Sequence, residues 1–153
     1  MAETYEQMKT RHQKEYEDFT KDCVFFAYSQ EQFDKGMESL GLKPNETHKI
    51  FHFDKGAFIL RTKSNEQKKM FERFLAEQQQ AIDDDTDGTG FVTEMFLYEL
   101  INHECAYTGD ILSALEELDL TVDEVKQNPK LYNGLKRALL KIFGKKLKEM
   151  GYI

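Results

Sequence analysis

Acidic residues alternate along one short segment of the chain with the spacing of a calcium-binding loop. Asp83, Asp85, Asp87, Gly88 and Glu94 fit positions 1, 3, 5, 6 and 12 of the twelve-residue pattern D-x-D-x-D-G-x5-E. In that pattern the carboxylates supply oxygen ligands, the glycine permits a sharp turn, and the last Glu binds the ion through both oxygens. The sequence therefore predicts a site for a divalent cation, Ca²⁺ or Mg²⁺, with these ligands: Asp83, Asp85, Asp87 and Glu94.

The alternative interpretation of this segment is a solvated acidic turn between two helices. Gly90 stands at the eighth position of the loop, where such loops normally carry a branched apolar residue. The chain also contains no second loop of this kind, whereas these loops usually act in pairs. Both interpretations place the end of one helix near Ile82 and the start of another near Glu94.

His103 and Cys105 form a second candidate metal site, for zinc, which Cys23 would help to complete. On a regular helix these two side chains point about 200° apart, so one ion could bind both only at an interrupted helix. Further zinc ligands would have to come from elsewhere in the chain: His12, Cys23, His48 or His52. The alternative is a buried histidine held by Glu99 or a backbone carbonyl, with cysteine packed as a small apolar residue. The spacing matches no standard zinc motif and favours this alternative.

Sequence templates for catalysis are absent. The chain has no glycine-rich phosphate loop, no G-x-S-x-G and no H-E-x-x-H. A catalytic dyad of His103 and Cys105 would need adjacent side chains, which residues two apart on a helix do not provide. The sequence therefore predicts a protein that is not an enzyme.

Charge is unevenly distributed along the chain and favours a basic partner for its main part. Residues 1–129 carry 14 Lys and Arg against 27 Asp and Glu, whereas residues 130–153 have a net charge of +6. The candidate contacts of such a partner are Glu116, Glu117, Asp119, Asp123 and Glu124. The alternative is that these carboxylates only keep the protein soluble. Direct nucleic-acid binding by the basic C-terminal helix is not favoured, because no exposed aromatic residues are interleaved with its cations.

Hydrophobic periodicity and capping patterns predict the elements that position these residues. Capping boxes are expected to begin helices at Thr4, Ser29, Ser64 and Thr121. A strand is expected at Cys23–Tyr28, and a hairpin is expected from His48–Phe53 and Ala57–Arg61 across Asp54–Gly56. Phe91–Tyr107 is apolar on all sides and is expected to be the most buried helix. The predicted fold class is α+β, with about three antiparallel strands and about six helices in a single domain, residues 1–153.

Composition indicates a globular protein of the cytoplasm. Hydrophobic residues make up 40% of the chain, enough for a packed core. Two cysteines are too few for a disulfide framework, and the polar N-terminal segment does not resemble a signal peptide. No apolar run is long enough to span a membrane, so no membrane partner is expected.

Several short motifs are spread along the chain: Phe25–Ala27, Ser29, Glu31–Phe33, Gly88–Phe91, Asn102–Glu104 and Thr108–Asp110. Together they resemble a family of small acidic proteins encoded by phages and mobile elements of Gram-positive bacteria. The chain departs from this pattern at Cys105, where the family is expected to have Tyr. The resemblance implies a cytoplasmic location in a bacterial host but no established activity. By analogy of genetic context, it implies a counter-defence protein, such as an anti-CRISPR inhibitor of the type II nuclease.

Overall fold

The computed structural model describes residues 2–151, apart from the side chain of Leu147. Within those residues the chain forms eight α-helices and a small three-stranded sheet, which confirms the predicted α+β class. The helices are α1 (Tyr5–Thr20), α2 (Gln30–Ser39), α3 (Ser64–Asp84), α4 (Phe91–Asn102), α5 (Cys105–Thr108), α6 (Leu112–Glu117), α7 (Val122–Gln127) and α8 (Pro129–Glu149). The strands are β1 (Val24–Phe26), β2 (Ile50–Asp54) and β3 (Ala57–Leu60). None of the described helices has the length and apolar character needed to cross a membrane.

The described residues divide into two compact units. We call residues 2–9 with 77–151 the helical unit, and residues Thr10–Ala76 the sheet unit. Each unit buries its own cluster of apolar side chains. The interpretation of the chain as a single domain stays a prediction.

Helix α4 forms the centre of the helical unit, as its apolar pattern predicts. Val92, Met95, Phe96 and Leu100 are fully buried, and α4 packs chiefly against α8. A helix that is apolar on several sides has to be surrounded by other elements, and here α5 and α6 also contact it.

The predicted helix Phe91–Tyr107 is too long. α4 ends at Asn102, because Glu104 takes a left-handed backbone conformation with φ of 58° and a new short helix begins after it. Ile101 and Tyr107 are exposed rather than buried, so only the first three turns of the predicted helix contribute to the core.

The sheet unit is built on an antiparallel sheet with strand order β1-β3-β2. The predicted hairpin is confirmed, and Gly56 supplies the positive φ, 66°, that its tight turn requires. One face of the sheet packs on α2, where the rings of Phe25 and Phe58 stack 5.2 Å apart. Gly36 of α2 permits the helix to lie this close to the sheet, since a Cβ atom there would lie 2.0 Å from the Phe25 ring.

Three of the four predicted capping boxes form the expected hydrogen bond from the fourth residue's backbone to the first residue's side chain. The Thr4, Ser29 and Thr121 side chains each accept a bond from the backbone N–H three residues later. Helix α3 begins at Ser64 as predicted, but the capping hydrogen bond expected there does not form. A 3₁₀ turn precedes α3, and the Ser64 hydroxyl donates to the Arg61 carbonyl instead.

Candidate functional site

Asp85 accepts backbone hydrogen bonds through both carboxylate oxygens, and Oδ2 caps the start of α4. Oδ1 accepts a hydrogen bond from the Gly88 N–H at 3.1 Å, and Oδ2 accepts from the N–H groups of Gly90 at 3.1 Å and Val92 at 2.9 Å. The first N–H groups of a helix lack partners within the helix, so a carboxylate at this position is stabilising. The observed geometry gives the central acidic residue of the loop a capping role.

The other acidic residues of the loop bond to near neighbours in the chain. Asp83 Oδ1 accepts from the side chain of Gln79 at 2.9 Å. Asp87 Oδ1 accepts from the hydroxyl and backbone N–H of Thr89, and these bonds lower the Asp87 pKa. Glu94 is exposed in the first turn of α4. Over residues 2–151, no three His, Cys, Asp or Glu side chains are grouped to hold a metal ion. The calcium or magnesium site stays a prediction.

Helix α8 anchors the acidic loop. Lys130 Nζ donates to the carbonyl oxygens of Ile82 at 2.9 Å and Asp83 at 3.2 Å, and Asn133 Nδ2 donates to the Asp87 carbonyl at 2.8 Å. Gly88, with φ of 87°, lies against the helix so closely that a Cβ atom there would be 2.2 Å from the Lys130 carbonyl oxygen. Gly88 therefore allows the loop to pack directly against the backbone of α8.

The zinc candidates occupy a helix break and two buried positions. His103 is the C-cap of α4, and Glu104 after it has a left-handed backbone conformation, so the regular helix assumed between His103 and Cys105 does not exist. Cys105 is fully buried, and burial raises the pKa of its thiol. The Cys23 thiol is also buried and donates to the Phe19 carbonyl at 3.2 Å. Cys105 belongs to the apolar core of the helical unit. The zinc site stays a prediction.

The other histidines named as possible zinc ligands lie in the sheet unit. The ring of His12 stacks on Phe74 and that of His52 stacks on Phe58, with centroid separations of 4.0 and 4.7 Å. The His48 carbonyl accepts a hydrogen bond from the Arg61 side chain.

Glu99 is a fully buried carboxylate, and its cationic partner was missed by the sequence analysis. Lys9 Nζ lies 2.6 Å from Oε1 and 2.9 Å from Oε2 of Glu99, so the predicted side-chain pairing with His103 is wrong. The rings of Tyr5 and Tyr98 flank the same ammonium group at 6.0 and 5.2 Å from their centroids. Burial, and then the charge of Glu99, raise the pKa of the Tyr5 hydroxyl. No sequence pattern signals this pairing, because Lys9 lies 90 positions from Glu99 in the chain.

The five predicted partner-binding carboxylates are all exposed and belong to one segment of the helical unit. Glu116 and Glu117 end α6, Asp119 lies in the following turn, and Asp123 and Glu124 begin α7. Glu117 lies 3.5 Å from Lys9, and Glu124 bonds to Thr121 in its capping box. Among the described residues, the other three carboxylates form no ion pair. We call these five residues the acidic surface.

The acidic surface lies within a longer segment without basic residues. Residues 74–125 contain 14 Asp and Glu and no Lys or Arg. The helix α8, which carries most of the cations of the helical unit, donates Lys130 and Lys146 to backbone carbonyls rather than to carboxylates. The segment itself therefore contains no cation that could compensate its negative charge.

Comparison with known proteins gives a family but no activity. No curated protein and no solved structure matches the chain. A family of unknown function, DUF7659, matches residues 4–141, which include the sheet, the acidic loop, the acidic surface and most of α8. Because this match covers most of the sequence, the chain belongs to the DUF7659 family.

Proposed function

We propose that the protein is a non-enzymatic inhibitor that binds a basic nucleic-acid channel of a host defence protein. The acidic surface carries this proposal, because its carboxylates are exposed, close together in the sequence and mostly without cationic partners among the described residues. We propose as target the RNA-guided nuclease of type II CRISPR systems, where binding would block nucleic-acid loading or cleavage. The resemblance to phage-encoded proteins supports that choice of target.

Electrostatic complementarity is the physical basis of the proposal. Nuclease channels that hold a guide–target duplex are lined with positive charge and recognise the nucleic-acid backbone. A surface of closely spaced carboxylates would compete with the nucleic-acid backbone for the positively charged side chains of the channel. Charge also steers the encounter of the two proteins, so association is fastest at low ionic strength.

The acidic surface is held in one conformation by the core beneath it. Leu115, Leu118 and Val125 are buried, which fixes α6 and α7 on the helical unit. The turn between these helices is closed by a bond from the Leu120 N–H to the Leu115 carbonyl at 2.9 Å. A surface that is already ordered loses little conformational freedom on binding, which favours affinity.

Binding to a purified type II nuclease tests the proposal. The triple variant Glu116→Gln, Asp119→Asn and Asp123→Asn removes three charges from the acidic surface. Asn is used at position 119 because that residue has φ of 57°, a conformation that Asn tolerates. The matched control, Asp22→Asn, Glu31→Gln and Glu38→Gln, removes three charges from exposed positions of the sheet unit.

We expect the wild type and the control to bind the nuclease and inhibit DNA cleavage, and the acidic-surface variant to lose affinity by about tenfold or more. The affinity of the wild type is expected to fall as salt rises, because the contacts are ionic. Equal inhibition by the two triple variants would contradict the role of the acidic surface. Absence of binding to the guide-free and guide-loaded nuclease alike would overturn the choice of target.

A further inference from the structure

A cavity of about 520 Å³ lies in the sheet unit, between the first turns of α3 and the face of the sheet opposite α2. Its apolar walls come from the sheet residues Phe51, Phe53 and Ile59 and from Phe71 and Leu75 of α3. Phe51, Phe71 and Leu75 are 47%, 38% and 53% exposed, respectively. The volume falls within the range of about 300–1,000 Å³ that small-molecule pockets span.

The wall of this cavity contains a buried amide that lacks a hydrogen-bond partner. Gln67 is only 5% exposed, and its Oε1 atom forms no hydrogen bond within the part of the chain that the structure describes. A buried polar atom without a partner is costly, and such atoms are uncommon in folded proteins. Rotation of the amide by 180° exchanges its oxygen and nitrogen, so this wall can present either an acceptor or a donor.

We propose that this cavity binds a small planar ligand that has an aromatic ring and a carboxamide-type edge. The phenylalanine rings supply the apolar contact area, and the Gln67 amide supplies one polar contact that fixes the orientation of the ligand. A carboxamide or lactam edge carries a donor and an acceptor side by side, so it satisfies the Gln67 amide in either of its orientations. The site lies outside the acidic surface and does not depend on the proposed inhibitor function.

Titration of the isotope-labelled full chain with benzamide, followed by NMR, tests the site. Toluene is the matched probe, because it keeps the ring and has neither a hydrogen-bond donor nor an acceptor. We expect millimolar benzamide to shift the Gln67 side-chain NH₂ signal and the backbone amides of β2, in a saturable manner. The acidic-surface residues are expected to keep their chemical shifts.

The variant Gln67→Leu separates the polar contact from the shape of the cavity. It removes the unpartnered amide and keeps an apolar side chain of similar length, so we expect a melting temperature equal to or above that of the wild type. Benzamide affinity is expected to fall about tenfold, as for loss of one buried hydrogen bond, with toluene affinity unchanged. Gln80→Leu, on the exposed part of the same helix, is the control and should leave both affinities unchanged.

Three outcomes would overturn the proposal. The first is that neither probe binds in a saturable manner, and the second is that Gln67→Leu binds benzamide as tightly as the wild type. The third is that the wild type is a dimer in solution and Phe51→Ser converts it to a monomer. That result would assign the cavity to a second copy of the chain.

Discussion

Lys9 and Glu99 are 90 positions apart in the sequence and form an ion pair in the interior of the helical unit. The carboxylate is fully buried and the lysine is 26% exposed, so water screens the pair only on the lysine side. Removing a charge from water costs several kcal/mol, and this cost is recovered only when the partner charge lies in good geometry. Here the ammonium group contacts both carboxylate oxygens, at 2.6 and 2.9 Å.

Replacing one member of this ion pair is expected to destabilise the protein more than replacing both. Lys9→Met leaves an uncompensated buried carboxylate and should lower the free energy of unfolding by about 3–5 kcal/mol. The double variant Lys9→Met with Glu99→Leu should recover most of that loss, because no buried charge remains. Urea denaturation measures both, with the exposed Lys14→Met as control. If Lys9→Met is no less stable than Lys14→Met, the ion pair is not a determinant of the fold.

Stability is expected to fall at alkaline pH through Tyr5. Burial raises the pKa of its hydroxyl in the folded state, so the unfolded chain ionises first, at pH about 10. Stability is therefore fully present below that pH and is lost as pH rises above it. Melting temperatures measured between pH 8 and pH 11 should decline less for Tyr5→Phe than for the wild type. Parallel declines in the two proteins would show that Tyr5 does not carry the effect.

The two glycines within α8 are expected to respond in opposite ways to alanine. A Cβ atom at Gly134 would lie 2.4 Å from Val92 Cγ1, whereas no described atom lies within 4 Å of a Cβ atom at Gly144. Gly134→Ala should destabilise the protein by about 1–3 kcal/mol through overpacking against α4. Gly144→Ala should stabilise it by about 0.5–1 kcal/mol, because alanine loses less backbone entropy in a helix. Thermal and urea denaturation of the two variants distinguish these effects, and stabilisation by Gly134→Ala would contradict the α4–α8 packing.

Local patterns predict local structure well in this chain. The hairpin around Gly56 and the buried start of α4 follow from turn chemistry and from apolar periodicity over a few residues. The break after His103 was missed because a non-glycine residue, Glu104, adopts a left-handed conformation that its type does not signal.

Long-range pairing could not be predicted in the same way. The sequence pattern paired Glu99 with His103, four residues away on the same predicted helix. The true partner, Lys9, comes close only after α1 and α4 pack together, and no local spacing encodes that contact.

The role of the acidic loop could not be predicted for a different reason, because the same residue pattern fits two roles. A carboxylate at the third loop position can bind an ion or cap a following helix. Asp85 accepts three backbone hydrogen bonds, so Asp85→Ala should lower the free energy of unfolding by about 1–2 kcal/mol whether or not calcium is present. Asp84→Ala, whose carboxylate bonds only to an exposed glutamine side chain, is the control.

The cation hypothesis makes a separate prediction for the same loop. If Asp83, Asp85, Asp87 and Glu94 bind an ion, millimolar calcium should raise the melting temperature, because a ligand that binds only the folded state stabilises it. The double variant Asp83→Asn with Asp87→Asn should abolish that response, while the Asp85 cap keeps the start of α4 in place. Glycine at loop position eight and the lack of a second loop indicate weak affinity, with a dissociation constant of about 10⁻⁴–10⁻³ M. A melting temperature unchanged by millimolar calcium, magnesium and manganese would leave the loop as a helix cap anchored to α8.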